Sequence, residues 1–172
     1  GKVVATYRTG VGCGDTVAIE AATGEYASTR SAINSPEVVP VQSNDRVGTV
    51  SAGRIDLWRS DLVRTVEYGE VEAKQESQKQ PHEDCTISSA LTRTENLALT
   101  ESCPEDPHTT WLRFQATTPE DSREPEMDAD VSLSRDGARL IAVGQDAAAV
   151  YIPGPEPHIE SYNCLLYTSP SP

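Results

Sequence analysis

The sequence predicts an all-β chain of repeated four-stranded antiparallel sheets, and three observations carry that prediction. Short apolar runs alternate with tight polar turns along all 172 residues, and helix-period stretches are nearly absent. Like pieces recur: TVAIEAATGEYASTR (Thr16 to Arg30), GRIDLWRSDLVRTVEY (Gly53 to Tyr68) and AAVYIPGPEPHIESY (Ala148 to Tyr162) align, and TWLRFQATT (Thr110 to Thr118) fits between the last two. Taking Ile19, Leu57, Leu112 and Tyr151 as equivalent points gives spacings of 38, 55 and 39 residues. A period near forty is that of one β-propeller blade, so the expected architecture is a partial β-propeller of about three and a half four-stranded blades. Composition agrees: the apolar fraction is 37% with one Phe and one Met, so Val, Leu, Ile and Ala must do the packing, which suits many short strands.

Val3 to Tyr7 reads as the middle of a strand. Glu37 to Tyr68 is the most legible blade: Val38 to Val41, a turn at Ser43-Asn44-Asp45, Arg46 to Ser51, a turn at Ala52-Gly53, Ile55 to Trp58, a turn at Arg59-Ser60-Asp61, then Leu62 to Tyr68. Gly69 to Asp84 is a polar insertion, expected as a solvated loop. Cys85 and Cys103 flank a hairpin whose arms, Ile87 to Leu91 and Leu97 to Leu99, meet at the turn Thr92 to Asn96. Folding it about Thr94 sets the two cysteines opposite each other, within the reach of a disulfide. That bridge implies an oxidising compartment; the alternative is two free thiols on a cytosolic strand pair. Asp106 to Trp111 could hold a turn of helix. Val131 to Val143 has the strand, Asp-Gly turn, strand form that joins the first two strands of a blade.

One domain is expected over residues 1–163, as a fragment cut at both ends. Residues 164–172 (CLLYTSPSP) resemble a translated sequencing-library adapter and are set aside as a non-native or disordered tail, Cys164 included. Cys13 is then the odd cysteine, with its partner expected in sequence outside the fragment. No apolar run approaches the roughly 18 residues of a membrane helix, so no transmembrane segment is expected. The formal net charge of -13 disfavours nucleic acid and anionic membrane surfaces as partners.

The stretches GCGDTVAIEAATGEYASTR, LWRSDLVRTVEYGEVEA and CTISSALTRTENLALTESCP resemble a family of exported actinobacterial β-propeller proteins of uncharacterised function, over most of Gly12 to Asn163. The resemblance implies a propeller fold and a secreted or otherwise extracytoplasmic, cell-envelope location. It brings no catalytic residues. A weaker likeness is to quinoprotein-type propeller repeats: Ala18, Thr23 and Gly24 match, whereas Glu20 replaces the motif's Asp and Ser28 its docking Trp. No cofactor is therefore expected.

His82, His108 and His158 each follow a proline. In the blade register they precede a first, a third and a fourth strand, at opposite ends of a propeller, so no metal site is predicted. Glu120 to Asp130 carries six carboxylates in eleven residues without the spacing of a calcium loop, and is expected to be a solvated, mobile loop. No nucleophile elbow is present, and no catalytic residue is assigned. Trp58, Arg59 and Asp61 are the candidate binding residues, an aromatic, a fixed cation and a carboxylate at one turn. The structural alternative packs Trp58 between blades and pairs Arg59 with Asp61. Together these readings favour a non-enzymatic binding or scaffold propeller of the cell envelope with a protein or glycan partner. The alternative is a piece of a quinone-dependent or hydrolytic propeller enzyme.

Overall fold

A computed structural model describes residues 1–10, 12–31, 35–71, 79–133 and 135–163, with the side chains of 12 and 13 excepted. The adapter-like tail and the Cys13 side chain lie outside the described residues. Fourteen strands and no helix occur among the described residues. They are β1 (Lys2–Thr9), β2 (Gly12–Glu20), β3 (Tyr26–Ser31), β4 (Val39–Gln42), β5 (Arg46–Val50), β6 (Arg54–Arg59), β7 (Arg64–Gly69), β8 (Thr86–Arg93), β9 (Asn96–Cys103), β10 (Asp106–Ala116), β11 (Met127–Ser132), β12 (Arg139–Val143), β13 (Ala147–Ile152) and β14 (His158–Asn163). Each pairs antiparallel with its chain neighbour to give four open sheets, β1–β3, β4–β7, β8–β11 and β12–β14, and no sheet closes on itself.

Side chains alternate across each strand, and the alternation here buries both faces of the inner sheets. On β9, Leu97 and Leu99 face one way, into a core with Ile55, Leu57, Val66 and Tyr68 of the preceding sheet. Ala98 faces the other way, with Leu112 and Phe114, against Leu140, Ala148, Val150 and Tyr162 of the following sheet. A thinner layer of Ala18, Trp58 and Leu62 joins the first two sheets. The sheets therefore stack face to face in chain order. The β8–β11 sheet makes its closest approaches to its neighbours through first strands, β8 against β4 and β8 against β12.

The β4–β7 sheet follows the sequence reading closely. β5 must pass tight over β6, and Gly48 allows it: a Cβ there would stand 2.2 Å from the Asp56 carbonyl oxygen. β7 starts two residues later than expected because Leu62 adopts φ 61° and turns inward beside Trp58 instead of extending the strand.

Three readings are corrected. Asp106 to Trp111 is the start of β10, whose register jumps from Asp106 opposite Cys103 to Trp111 opposite Glu101; β-branched Thr109 and Thr110 favour the extended chain. The Val131 to Val143 segment is a crossing between sheets. β11 pairs with β10 and β12 with β13, and the bend at Gly137 (φ 79°) carries Leu133, Ala138 and Leu140 into the core between them. Tyr151 lies on β13, the second strand of its sheet, whereas Leu57 and Leu112 lie on third strands, so its equivalence with them is one strand out of step.

Candidate binding face

In an antiparallel meander, alternate turns leave on the same side. The β4–β5, β6–β7, β8–β9 and β10–β11 connections therefore share one end of the molecule. Arg46 Nη2 donates to Thr118 Oγ1 at 2.7 Å and Thr117 Oγ1 to the Thr94 carbonyl at 2.9 Å, linking those turns. Two concavities open at this end. The larger, about 1030 Å³, runs between Arg59, Val63 and Arg64 on one wall and Asp121, Glu124 and Pro125 on the other. The smaller, about 450 Å³, lies among Ser43, Asn44, Thr92, Arg93 and Val143, beside the first strands.

Of the candidate binding residues, Trp58 is only 2% exposed, packed with Ala18 and Leu62 between two sheets. Its ring is closed to an external ligand. Arg59 and Asp61 are exposed and bonded to each other, with Nη2 to Oδ2 at 2.6 Å and Nε to Oδ1 at 3.2 Å. The Arg59 guanidinium, aided by the Val63 amide, holds the Asp61 carboxyl down to about 2. The turn is thus self-satisfied, and Arg59 reaches the large groove as half of an ion pair.

The acidic segment runs as a loop that is tied down at specific points before it enters β11. Lys79 Nζ bridges Asp121 at 3.1 Å and Glu124 at 3.3 Å, and the Ser122 carbonyl accepts from the Glu67 amide at 2.6 Å. Gln80 fastens the strap: its side chain accepts from the Gly69 amide and donates to the Glu67 and Arg123 carbonyls. Met127 to Asp130 are already β11. The strap covers the edge of β7, where unpaired backbone groups would otherwise invite foreign strands. Lys79 and Gln80 also tie down the end of the Gly69 to Asp84 insertion; 72–78 lie outside the described residues.

Two buried ionic networks escaped the sequence reading. Asp56 and Glu67 stand directly opposite on β6 and β7, both almost fully buried. Arg54 binds each at 2.7 Å, Arg64 reaches them at 3.0 and 3.2 Å, and Arg123 adds a contact to Glu67 at 3.3 Å. Burial pushes the Asp56 pKa up despite the Arg54 hydrogen bond. In the second network Tyr68 Oη donates to Glu101 Oε2 at 2.9 Å, Arg113 Nε binds Glu101 Oε1, and Arg113 Nη1 meets Asp130 at 3.0 Å. The Arg113 guanidinium lies 5.0 Å from the Trp111 ring centre. Burial raises the Glu101 and Tyr68 pKa values. The signal for both networks was the Arg-x-Asp of β6 and the Trp-x-Arg of β10, charges alternating with strand-core residues.

Cys85 and Cys103 stand at disulfide distance, with α-carbons 4.2 Å apart. A bulge makes this possible. The hairpin pairs Arg93 with Asn96 and Ser89 with Thr100, but beyond the extra residue Ser88 it pairs Ile87 with Glu101 and Thr86 with Ser102. Without that one-residue shift Cys85 would face Pro104. Of the histidines, His82 sits in the turn before β8, His108 within β10 and His158 at the start of β14, the third strand of its sheet. His82 is partly buried, which lowers its pKa, and the Arg113 charge lowers it further. His158 lies beside Glu160 at 2.8 Å; the Glu156 carbonyl and then Glu160 raise its pKa.

Comparison with models of known protein families and with curated proteins finds no match to this chain. Among the described residues no helix is long and apolar enough to cross a membrane.

Proposed function

We propose that this chain is an arc of a β-propeller acting as a non-enzymatic binding or scaffold module of the cell envelope. One observation carries the reading: antiparallel sheets stacked in chain order, with the β8–β11 sheet meeting both neighbours most closely along first strands. Propeller blades are ordered in that way about their axis, and fourteen strands correspond to about three and a half such blades. The Cys85–Cys103 pair supports an extracytoplasmic location. The buried carboxylates Asp56, Glu67 and Glu101 are all held by arginines, which supports a structural use for them rather than acid–base work.

Binding is assigned to the end that carries both concavities. The large groove sets guanidinium, ammonium and carboxylate groups around Val63 and Pro119, a lining suited to a polar protein segment or a glycan. The oxidised chain should bind isolated envelope polysaccharide or an envelope protein saturably in calorimetric titration. Val63→Asp with Lys79→Glu should weaken that binding at least about tenfold. Equal affinity of the double variant would remove the groove as the site. A crystal structure with sheets arranged as a two-layer sandwich would remove the propeller.

A further inference from the structure

We propose that when Cys85 and Cys103 are reduced, they form with His82 and Glu101 a tetrahedral site for a divalent transition metal of the zinc class.

Two short pieces of chain supply all four donors. The His82-Glu83-Asp84-Cys85 turn is closed by the Cys85 amide donating to the His82 carbonyl at 3.1 Å, and it brings the imidazole and Cys85 Sγ together. Ligands two to four residues apart on such a turn are the usual spacing of zinc-binding loops. Glu101 and Cys103 are two apart on β9 and share a face of the strand. A donor atom from each of His82, Cys85 and Glu101 lies within 4.8 Å of the others; Cys103 Sγ, bonded to Cys85 Sγ, keeps that spacing with Cys85 and the exposed Glu105, and turns towards His82 and Glu101 once the bond is cut. Two thiolates, an imidazole and a carboxylate are the ligand types that zinc takes, and the thiolates select against calcium and magnesium.

The surroundings fit a metal as well. Cys85, Cys103 and Glu101 are all buried, so the site is shielded from water. A divalent ion with two thiolates and one carboxylate carries one net negative charge, and the Arg113 guanidinium, which also pairs with Asp130, lies against it. Arg113 binds Glu101 Oε1 and places Nη2 3.7 Å from Cys103 Sγ, where a cation favours thiolate over thiol. Tyr68 donates to Glu101 Oε2, so the carboxylate is oriented from behind by two partners, as metal-bound carboxylates are.

Disulfide and metal site exclude each other. A small thiol reductant cleaves the Sγ–Sγ bond, is itself oxidised to its disulfide and leaves two protein thiols. The metal then displaces both thiol protons to solvent. This inference concerns one end of the β8–β9 hairpin and stands whether or not the four sheets belong to a propeller.

The test uses the full chain with Cys13→Ser and Cys164→Ser, so that two thiols remain of the four. Cobalt(II) added to the phosphine-reduced protein should give, at one equivalent, thiolate-to-cobalt charge-transfer absorption with the visible bands of tetrahedral cobalt. Zinc should abolish both, and the oxidised protein should give neither. His82→Ala and Glu101→Gln should each weaken cobalt binding by at least roughly tenfold. Should reduction unfold the sheets, cobalt should restore the β circular-dichroism signal together with the bands. Absence of the charge-transfer band and of any such recovery would overturn the proposal. So would unchanged affinity in both variants, since the thiols alone would then account for binding.

Discussion

The Tyr68 hydroxyl donates to Glu101 Oε2 across the boundary between two sheets, from the edge strand β7 to the interior strand β9. Both side chains are almost completely buried, and burial raises both pKa values, Tyr68 further through the Glu101 charge. The phenol therefore keeps its proton, and Arg113 compensates the carboxylate. Tyr68→Phe keeps the ring in the apolar core and leaves one buried carboxylate oxygen short of a donor. We expect a loss of about 1–3 kcal/mol in urea unfolding. A change below about 0.5 kcal/mol would mean that the bond does not fasten the two sheets.

Arg54 does the corresponding work inside the β4–β7 sheet. Asp56 and Glu67 are cross-strand neighbours of like charge, an arrangement that destabilises a sheet unless a cation bridges it. Arg54→Met leaves the buried pair short of that cation and should cost about 3–5 kcal/mol at neutral pH. The pH dependence has a definite sign. Asp56 already holds its proton more tightly folded than unfolded, so its contribution to stability falls as pH rises through the folded pKa. Losing Arg54 raises that pKa further, and the variant should regain part of its stability on acidification. A deficit equal at pH 7 and pH 4.5 would sink this account.

How far the sequence foretold this arrangement differs from residue to residue. The turn signals at Ser43-Asn44-Asp45, Ala52-Gly53 and Arg59-Ser60-Asp61 located β4 to β7 because each is local and each joins strands that pair. Asp136-Gly137 carries the same signal and yet separates two sheets, since a turn records where the chain bends and not which neighbour it pairs with afterwards. The cysteines were matched by counting about Thr94, and the match holds through the bulge at Ser88, which no residue pattern announced. For Trp58 the sequence left two uses open, presentation at the turn or packing between sheets; the second is the one found, through Ala18 on another sheet and Leu62 in an unusual backbone conformation. For Asp56, Glu67 and Glu101 the sequence offered no placement, because alternation tells which residues share a face, while the neighbouring sheet decides whether that face is wet.

Thr94 offers a stabilising change. It takes φ 51° at the first central position of the two-residue β8–β9 turn, a backbone region that β-branched residues avoid and glycine occupies freely. The contacts that dock β10 on this turn use the Thr94 and Glu95 carbonyls, which glycine retains. Thr94→Gly should raise unfolding stability by about 0.5–1 kcal/mol. A loss of stability would show that the threonine side chain contributes more than its strained backbone costs.

The Cys85–Cys103 pair spans 18 residues and closes the hairpin at the end away from its turn. In the chain-entropy account such a loop is worth roughly 3 kcal/mol. Non-reducing peptide mapping should recover the linked pair, and metal-free reduction should lower stability by that amount. Free alkylation of both thiols under native oxidising conditions would exclude the bridge.

The two outward faces of the stack predict association. Val3 and Tyr7 on β1 and Tyr26 on β3 are exposed at one end, and Ile141, Tyr151 and Ile159 on β12 to β14 at the other. Val3, Ile19 and Tyr26 form one cross-strand row, and Tyr151 pairs with Ile159, so these are continuous apolar strips. Burying one face against the other on a second copy is a heterologous contact, which propagates instead of closing unless the geometry completes a ring. Sedimentation velocity should therefore find species that grow with concentration over the micromolar to roughly 1 mM range in which exposed apolar surface drives association. Tyr26→Lys with Ile159→Lys puts a charge on each strip and should shift the chain towards monomer without loss of β circular dichroism, because neither side chain is part of a buried core. A wild-type chain that stays monomeric across that range would show that neither strip recruits a neighbouring sheet.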